Sequence, residues 1–327
     1  MSGMSRRATI IDVAERAGVS RQTVSRAMND LPGISAGTRE KVLEAAKELN
    51  YRPSRFGRGL VEQGPITLGL VVEDLSNSYF AELGAAVVRA CAPHGWNVVL
   101  AEAMNAPNPQ RVAGDLARRV DALVGYGVLT DDIRGQGGMP VVQLDGRPAH
   151  LEAGGVVELV REEAMADLAA HLGRAGARRP VVLDLIGGLG RARSQALAAA
   201  LSPLVREGEV PVREVDAKEG HREFLEEVLA DGVDTIVAFN DELAVRLLRA
   251  LRALGVPVPR RLRLVGVDGL EIGSLVTPEL TTLSIDIEAV ARETVALVAG
   301  MLDGSVPLTG EGAHRVVSYH LEVRAST

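Results

Sequence analysis

Residues 9–29, TIIDVAERAGVSRQTVSRAMN, decide how the rest of this chain is read. The spacing predicts two short helices joined by a tight turn. Thr9 offers an N-cap, with Asp12 three residues on completing a T-x-x-D box. Val13, Ala14 and Ala17 recur at helical spacing as a narrow apolar face. Gly18 supplies the turn, because a positive φ costs glycine least. Ser20 caps a second helix, on which Val24 and Ala27 face inward. Arg21, Gln22, Ser25, Arg26 and Asn29 are left outward, a set rich in side chains that hydrogen-bond base edges in the major groove. A helix-turn-helix lays its second helix in that groove, with the N-terminal residues on the bases. An ordinary helical hairpin with a solvated face has the same pattern, and this stretch alone leaves both open.

Working outward, residues 1–8 read as an arm and residues 29–37 as a polar loop bearing Gly and Pro. Ser35 or Thr38 starts a third helix, in which Val42, Ala45, Ala46 and Leu49 recur at i, i+3, i+4 and i+7. That helix closes a three-helix module, and Gly37 near its start favours fraying. Asn50-Tyr51-Arg52-Pro53 ends it, since Pro53 disfavours helix at Arg52.

The charge divides at the same place. The 327 residues carry 36 Lys and Arg against 43 Asp and Glu, a net −7 that argues against a nucleic-acid partner. Residues 1–63 alone carry eleven basic and seven acidic groups, +4, and the remainder is −11. A basic head on an acidic body is the footprint of a DNA-binding module on a soluble sensor. Hydrophobic content of 46% with 24% charged residues is ordinary globular composition, long enough for more than one unit. No apolar run approaches the ~18 residues that span a membrane. No apolar core follows the basic N-terminus, so no export signal is read and the protein is placed in the cytoplasm. Cys91 is the only cysteine, which excludes an intrachain disulfide and a cysteine-based metal cluster. Its apolar helical setting suits a buried thiol.

DVAERAGVSRQTVSRAMN followed by TREKVLEAAKELNYRPSRFGRGL resembles the headpiece of the LacI/GalR family of bacterial transcription regulators. The order of parts is similar too: helix-turn-helix, third helix, Y-x-P, hinge, then a long α/β domain. The resemblance implies a small all-α headpiece over residues 1–50 and a hinge over 51–63. A two-lobed periplasmic-binding-protein-like effector and dimerisation domain with parallel sheets then covers 64–327. It implies that the hinge becomes helical on operator DNA and enters the minor groove, with Leu60 in the wedge position and Arg55 and Arg58 on phosphates or the groove. Apolar wedges of this kind kink DNA. Gly57 and Gly59 depart from the family pattern, each costing a helix interior about 0.8–1 kcal/mol relative to Ala. A flexible linker without a DNA role is the alternative. For the headpiece, Arg21, Gln22 and Arg26 are the candidates for base contact. Ser20, Thr23, Ser25 and Asn29 are read as positioning phosphates, and Thr9 and Tyr51 complete the candidate DNA-binding set.

From Pro65 the pattern becomes apolar runs alternating with amphipathic helices. ITLGLVVED, WNVVLAEA, VDALVGYGVL, PVVQLD, PVVLDLIGG, VPVREVD, DTIVAFN and RLVGVDG read as strands. FAELGAAVVRACAPHG, PQRVAGDLARR, AMADLAAHLGRAG, RARSQALAAALSPLV, FLEEVLADG and ELAVRLLRALRALG read as helices. Such alternation builds parallel sheets with helices on both faces. There are too many strands for one small sheet, so two lobes are expected, crossed several times by the chain, with a ligand cleft between them as the resemblance implies.

Ligands gather beyond the carboxyl ends of parallel strands, which supplies the effector candidates. Asp74, Asn77 and Phe80 follow the first strand, in a stretch similar to the family's N-x-F-F motif. Asp145 ends PVVQLD and begins a DGRP turn. Arg193 follows PVVLDLIGGLG, with Ala196-Leu197 in place of the family's Gly-Phe. Asn240 ends IVAFN and Asp268 ends RLVGVD. Arg offers a rigid fork of donors and Asp an acceptor pair, which together suit vicinal hydroxyls. Each could instead serve as a loop cap, and Asp241 reads as the cap of the following helix. Arg222 offers recognition of an anion or is a solvated helix-start arginine. Val160-Arg161 stands where the family often has Asp-Asn, and aromatics make up only 3% of the chain.

The expected protein is a DNA-binding transcription regulator, a repressor. It binds a palindromic operator as a homodimer and answers to a small polar effector such as a sugar or sugar phosphate. It is read as no enzyme, with no catalytic residue, cofactor, metal or membrane partner. IGGLGRAR lacks the third glycine and distant acid of a dinucleotide loop, and no P-loop, H-E-x-x-H or G-x-S-x-G occurs. An enzyme with a fused head is the competing class. A passive sugar-binding protein fails on the missing export signal and the headpiece. Without a C-terminal heptad repeat the dimer is favoured over the tetramer.

Overall fold

The computed structural model describes residues 10–28, 33–49, 65–130, 133, 138–187, 190–206 and 208–327. Three helices open it: α1 (Ile10–Ala17), α2 (Arg21–Met28) and α3 (Ala36–Glu48). Gly18 has φ +66°, as the turn required. The Val19 N–H donates to the Ala14 carbonyl at 3.0 Å and the Gly18 N–H to the Glu15 carbonyl at 3.3 Å. This paired closure of a helix end is a Schellman motif. Ser20 Oγ accepts the Thr23 N–H at 3.1 Å and caps α2. Ser35 repeats the device for α3, its Oγ accepting the Thr38 N–H at 3.2 Å. Ser35, not Thr38, is the cap, and Gly37 lies inside the first turn.

The three helices close on Val13, Ala14, Val24, Ala27, Val42, Ala45 and Ala46, all buried, with Val19, Ile34 and Leu49 packed at the edge. Every inward position read from the sequence is in this core or against it. Arg16 joins Glu48 at 2.6 Å across α1 and α3, an exposed pair of small energetic weight.

The remaining chain forms two six-stranded sheets. The first runs through β1 (Thr67–Val72), β2 (Asn97–Glu102), β3 (Ala122–Gly125), β4 (Val141–Leu144), β5 (Gly155–Val160) and β11 (His314–Ser318). Its order is β11-β5-β4-β3-β1-β2. The second holds β6 (Pro180–Leu185), β7 (Val212–Val215), β8 (Thr235–Val237), β9 (Arg263–Asp268), β10 (Thr281–Ser284) and β12 (His320–Glu322), in the order β12-β10-β9-β8-β6-β7. The two orders are the same winding used twice. Pairing is parallel from β2 to β5 and from β7 to β10, and β12 closes its sheet antiparallel. β1 is buried along its whole length and β6 nearly so, as parallel strands covered on both faces must be.

The helices between are α4 (Ser78–Cys91), α5 (Val112–Ala117), α6 (Glu162–Arg174), α7 (Arg191–Leu201), α8 (His221–Ala230), α9 (Asp241–Ala253) and α10 (Ile287–Asp303). Two sequence expectations are shortened. PQRVAGDLARR is a 3-10 turn over Pro109–Arg111 followed by α5. VDALVGYGVL is a strand only as far as Gly125.

Two compact units share the described residues. The first takes those of Met1–Leu75 with Leu83–Glu158 and Val290–Arg315; the second takes Ser76–Glu82, Leu159–Ala289 and Val316–Thr327. The chain changes unit five times. Among the described residues no helix is long and apolar enough to cross a membrane.

Candidate DNA-binding face and effector site

Ser20 and the first turn of α2 present Arg21 and Gln22 to solvent, with Arg26 exposed one turn on. Val24 and Ala27 hold the helix from behind at 0% and 4% exposure. Thr23 is half-buried and shares its hydroxyl with Ser20, Oγ to Oγ1 at 2.9 Å. The cap and the polar face are thus one local construction: the residue that starts α2 also fixes which side chains lead it. Of Ser25 only the backbone, within α2, is described. Thr9, Asn29, Tyr51, Arg55, Arg58 and Leu60, and with them the hinge, lie outside the described residues.

The effector candidates divide between the units. In the first unit, Asp74 is half-buried after β1, and Asp145 stands exposed after β4 with φ +50°. The others belong to the second. There Asn77 begins α4: its Oδ1 accepts the Tyr79 N–H at 3.1 Å and its carbonyl accepts the Phe80 N–H at 3.1 Å. Phe80 is buried edge-on to Tyr79, ring centroids 5.3 Å apart.

Sheet order brings the next three together. β6 takes β7 on one side and β8 on the other, and β9 follows β8. The strand ends carrying Arg193, Asn240 and Asp268 are therefore neighbours at a topological switch point. Arg193, on the first turn of α7, stacks its guanidinium 4.3 Å from the centroid of the Phe239 ring. Its Nη2 donates to the Phe239 carbonyl at 2.7 Å. A Cβ on Gly190 would stand 2.3 Å from Phe239 Cε2, so glycine there makes room for the ring that carries the guanidinium.

Arg193 Nη1 faces Asp268 Oδ1 at 3.9 Å, a charge contact too long for a hydrogen bond. Asp268 is 5% exposed and holds φ +108°, a conformation that a residue with a Cβ adopts at a cost of about 1–3 kcal/mol. Burial pushes its carboxyl up to about 7; Arg193 and Arg161 pull the other way, and Asp241 and Glu82 add to the rise. Glu82 is itself raised, first by burial and then by Glu271.

The cap read for Asp241 falls to its neighbour Asn240. Asn240 is the N-cap of α9, its Oδ1 accepting the Leu243 N–H at 2.8 Å. Asp241 is fully buried and turns inward: Oδ2 accepts the Leu270 N–H at 2.7 Å and Oδ1 the Thr282 hydroxyl at 2.6 Å. Burial raises its carboxyl to about 6 against those hydrogen bonds. It locks the loop after β9 to α9. Asn240 keeps only its amide N–H groups for a ligand. Arg222 pairs with Glu226 at 3.0 Å on the exposed side of α8, the solvated helix-start reading.

Sequence reasoning missed Phe239, Arg161 and Tyr319 as parts of this set. Arg161 follows β5 and lies 4.9 Å over the Tyr319 ring. The AFND run held the signal for Phe239, directly before Asn240. Tyr319 lies in a distant part of the sequence with no local mark. The assembled group offers a flat, aromatic-backed guanidinium, a second guanidinium and a buried carboxyl that gains or loses its proton near neutrality. Donors and acceptors so placed suit a hydroxyl-bearing solute. Among the described residues no group of three or more His, Cys, Asp and Glu could hold a metal ion.

A helix-turn-helix module preceding a doubled, parallel α/β body defines a DNA-binding transcription regulator of the sensor type. Residues 9–54 match the model of bacterial regulatory proteins of the lacI family, and residues 169–327 match that of the periplasmic binding protein-like domain. The chain thus carries a lacI-family DNA-binding module and a periplasmic binding protein-like domain. Catabolite control protein A of Staphylococcus aureus, strain MRSA252, is 26% identical over 337 residues, spanning 98% of this chain and 99% of that protein. A LacI family transcriptional regulator from Arthrobacter sp. FB24, solved in complex with lactose, superposes with a TM-score of 0.72 at 28% identity, covering 81% of this chain and 100% of that one. The transcriptional regulator CelR in its cellobiose complex gives 0.65 at 27%, covering 98% and 100%. These likenesses bear out the headpiece, the two-sheet body and the regulatory class read from the sequence.

Proposed function

We propose that this regulator is a homodimeric repressor whose grip on a near-palindromic operator is set by a small sugar-like effector held in the second unit. Arg193, stacked on Phe239 and facing Asp268, carries the reading: the arrangement offers one rigid donor fork and one acceptor pair to adjacent hydroxyls. The sugars bound by the Arthrobacter regulator and by CelR support this class of ligand. Asn77 and Asn240 add side-chain amides from the same unit; Asp74 and Asp145, which belong to the first unit, are separate carboxylate candidates for effector contact. Arg21, Gln22 and Arg26 read bases, while Ser20 and Thr23 set the register on phosphates.

The headpiece is assigned to residues 1–50, the hinge to 51–63 and the effector domain to 64–327. Leu60 is the minor-groove wedge. The protein acts in the cytoplasm and turns nothing over. The effector must favour one DNA-binding state over the other, a coupling typically about 1–3 kcal/mol.

The test is titration of the purified protein onto its own upstream DNA at fixed salt, with lactose, cellobiose and sugar phosphates in turn. Tight binding to a pseudo-palindrome, altered by one compound, is the expected result. That effect should vanish in Asp268→Asn with operator affinity kept. Binding without sequence preference and indifferent to every compound would overturn the reading.

A further inference from the structure

The second unit's other face carries a feature that neither the operator nor the effector uses. β6, β8 and β9 begin at Pro180, Thr235 and Arg263, and α6 and α8 end beside them at Arg174 and Ala230. This end of the sheet is opposite to Arg193 and Asp268. Six arginines lie on the segments at this end: Arg174, Arg178, Arg179, Arg260, Arg261 and Arg263.

The 229–234 segment ties them together. Asp234 Oδ2 accepts the backbone N–H of Arg178 at 2.8 Å and of Arg179 at 3.2 Å, and its carbonyl accepts the Arg263 N–H at 2.9 Å. Arg179 donates to the Asp231 carbonyl at 3.2 Å, Arg261 to that of Val233 at 2.9 Å, and Arg263 to that of Ala175. A purely structural role explains these bonds, since arginines commonly close helix C-termini. It does not dispose of the charge. Among the described residues none of the six forms an ion pair. Arg191, Arg193, Arg213, Arg222, Arg246 and Arg324 of the same unit each face a carboxylate. The two acids at this end are engaged elsewhere: Asp231 meets Arg213 at 3.0 Å, and Asp234 holds backbone N–H groups and the Thr235 hydroxyl. Two helix ends add only about half a negative charge each.

We infer that this end of the sheet docks a short carboxylate-rich segment of a partner protein. Arginine forks match carboxylates in geometry as well as charge. Nucleic acid fits less well. Outside the six arginines the unit holds eleven basic and twenty-three acidic residues, so a long polyanion running past the patch meets repulsion.

The test uses the full chain and a fluorescent decaglutamate peptide at about 50 mM salt, where such attraction is weakly screened. Arg178→Glu/Arg260→Glu is the informative variant. The Arg178 guanidinium donates to the carbonyl of its neighbour Ala177, and Arg260 is exposed, so the helix closures made by Arg179, Arg261 and Arg263 remain. Arg21→Glu/Arg26→Glu controls for peptide held by the basic headpiece. Peptide affinity should fall about tenfold or more in the patch variant, with its melting temperature unchanged. If charge reversal unfolds the unit, Arg178→Gln/Arg260→Gln should give the same ordering with a smaller loss. No peptide binding by the parent, or an affinity within about twofold in the patch variant, overturns the inference. A short mixed-sequence duplex losing more affinity than the peptide in that variant would assign the face to nucleic acid instead.

Discussion

Asp268 is placed where both its backbone and its surroundings oppose its charge. Its φ of +108° and 5% exposure are maintained by the end of β9 and by the Asp241 tether on the following loop. The sign of the resulting pH dependence is the reverse of the usual carboxylate. Below about pH 4 the group is protonated in both folded and unfolded chains, and contributes no penalty. As pH rises to about 7 the unfolded chain ionises first, so stability falls through that window and is flat above it. Asp268→Asn removes the penalty and tolerates the left-handed backbone. It should raise stability at pH 8 by at most about 4 kcal/mol, with the gain vanishing toward pH 4. Urea unfolding of parent and variant across this range checks it, and a gain independent of pH would refute the assignment. Gly190→Ala acts one contact away. Its methyl meets the Phe239 ring and should cost about 1–3 kcal/mol as overpacking. Because the ring carries Arg193, effector affinity should drop as well; calorimetry with the active compound separates the two effects.

At the scale of elements, the three described headpiece helices were legible because their signals are local. Gly18, Ser20 and the inward Val24 and Ala27 each act within a turn of where they sit. Long apolar runs likewise announced β1, β6 and β9. β5, β10, β11, β12 and α10 went unread. TTLS in β10 looks polar, yet Thr281 and Thr282 are fully buried and spend their hydroxyls on Arg324, Thr327 and Asp241. Those partners lie about forty residues away or more, beyond the reach of pattern reasoning. The Arg161–Tyr319 contact was hidden for the same reason, and the inward turn of Asp241, read as a cap, depends on Thr282 and Leu270. Ser20→Ala should destabilise α2 by about 1 kcal/mol through the lost cap. Arg21→Ala should leave stability unchanged and weaken operator binding by about 1–3 kcal/mol. Hydrogen exchange on α2, set beside gel-shift affinities for the two variants, distinguishes them; equal effects of both on exchange would count against the division of labour.

At the scale of the molecule, one winding order is used twice, and each sheet is completed by strands from the end of the chain: β11 for the first and β12 for the second. α10 packs on β5 so closely that a Cβ on Gly155 would meet Met301 Cε at 2.4 Å. Stopping the chain after Glu158 should therefore yield no folded first unit, although nearly all of its sheet is present. Circular dichroism of the fragment should show no cooperative melt, and adding residues 290–327 as a separate peptide should restore part of it. A cooperative melt from residues 65–158 alone would contradict this account.

The interleaving has a genetic meaning. In a protein with domains strung end to end, a premature stop can spare the DNA reader and leave a permanent, unregulated repressor behind. Here a stop codon anywhere before Val290 deprives both sheets of their closing strands at once. The expected product is degraded, not half-functional, so nonsense alleles spread over most of the gene should share one recessive, derepressed phenotype.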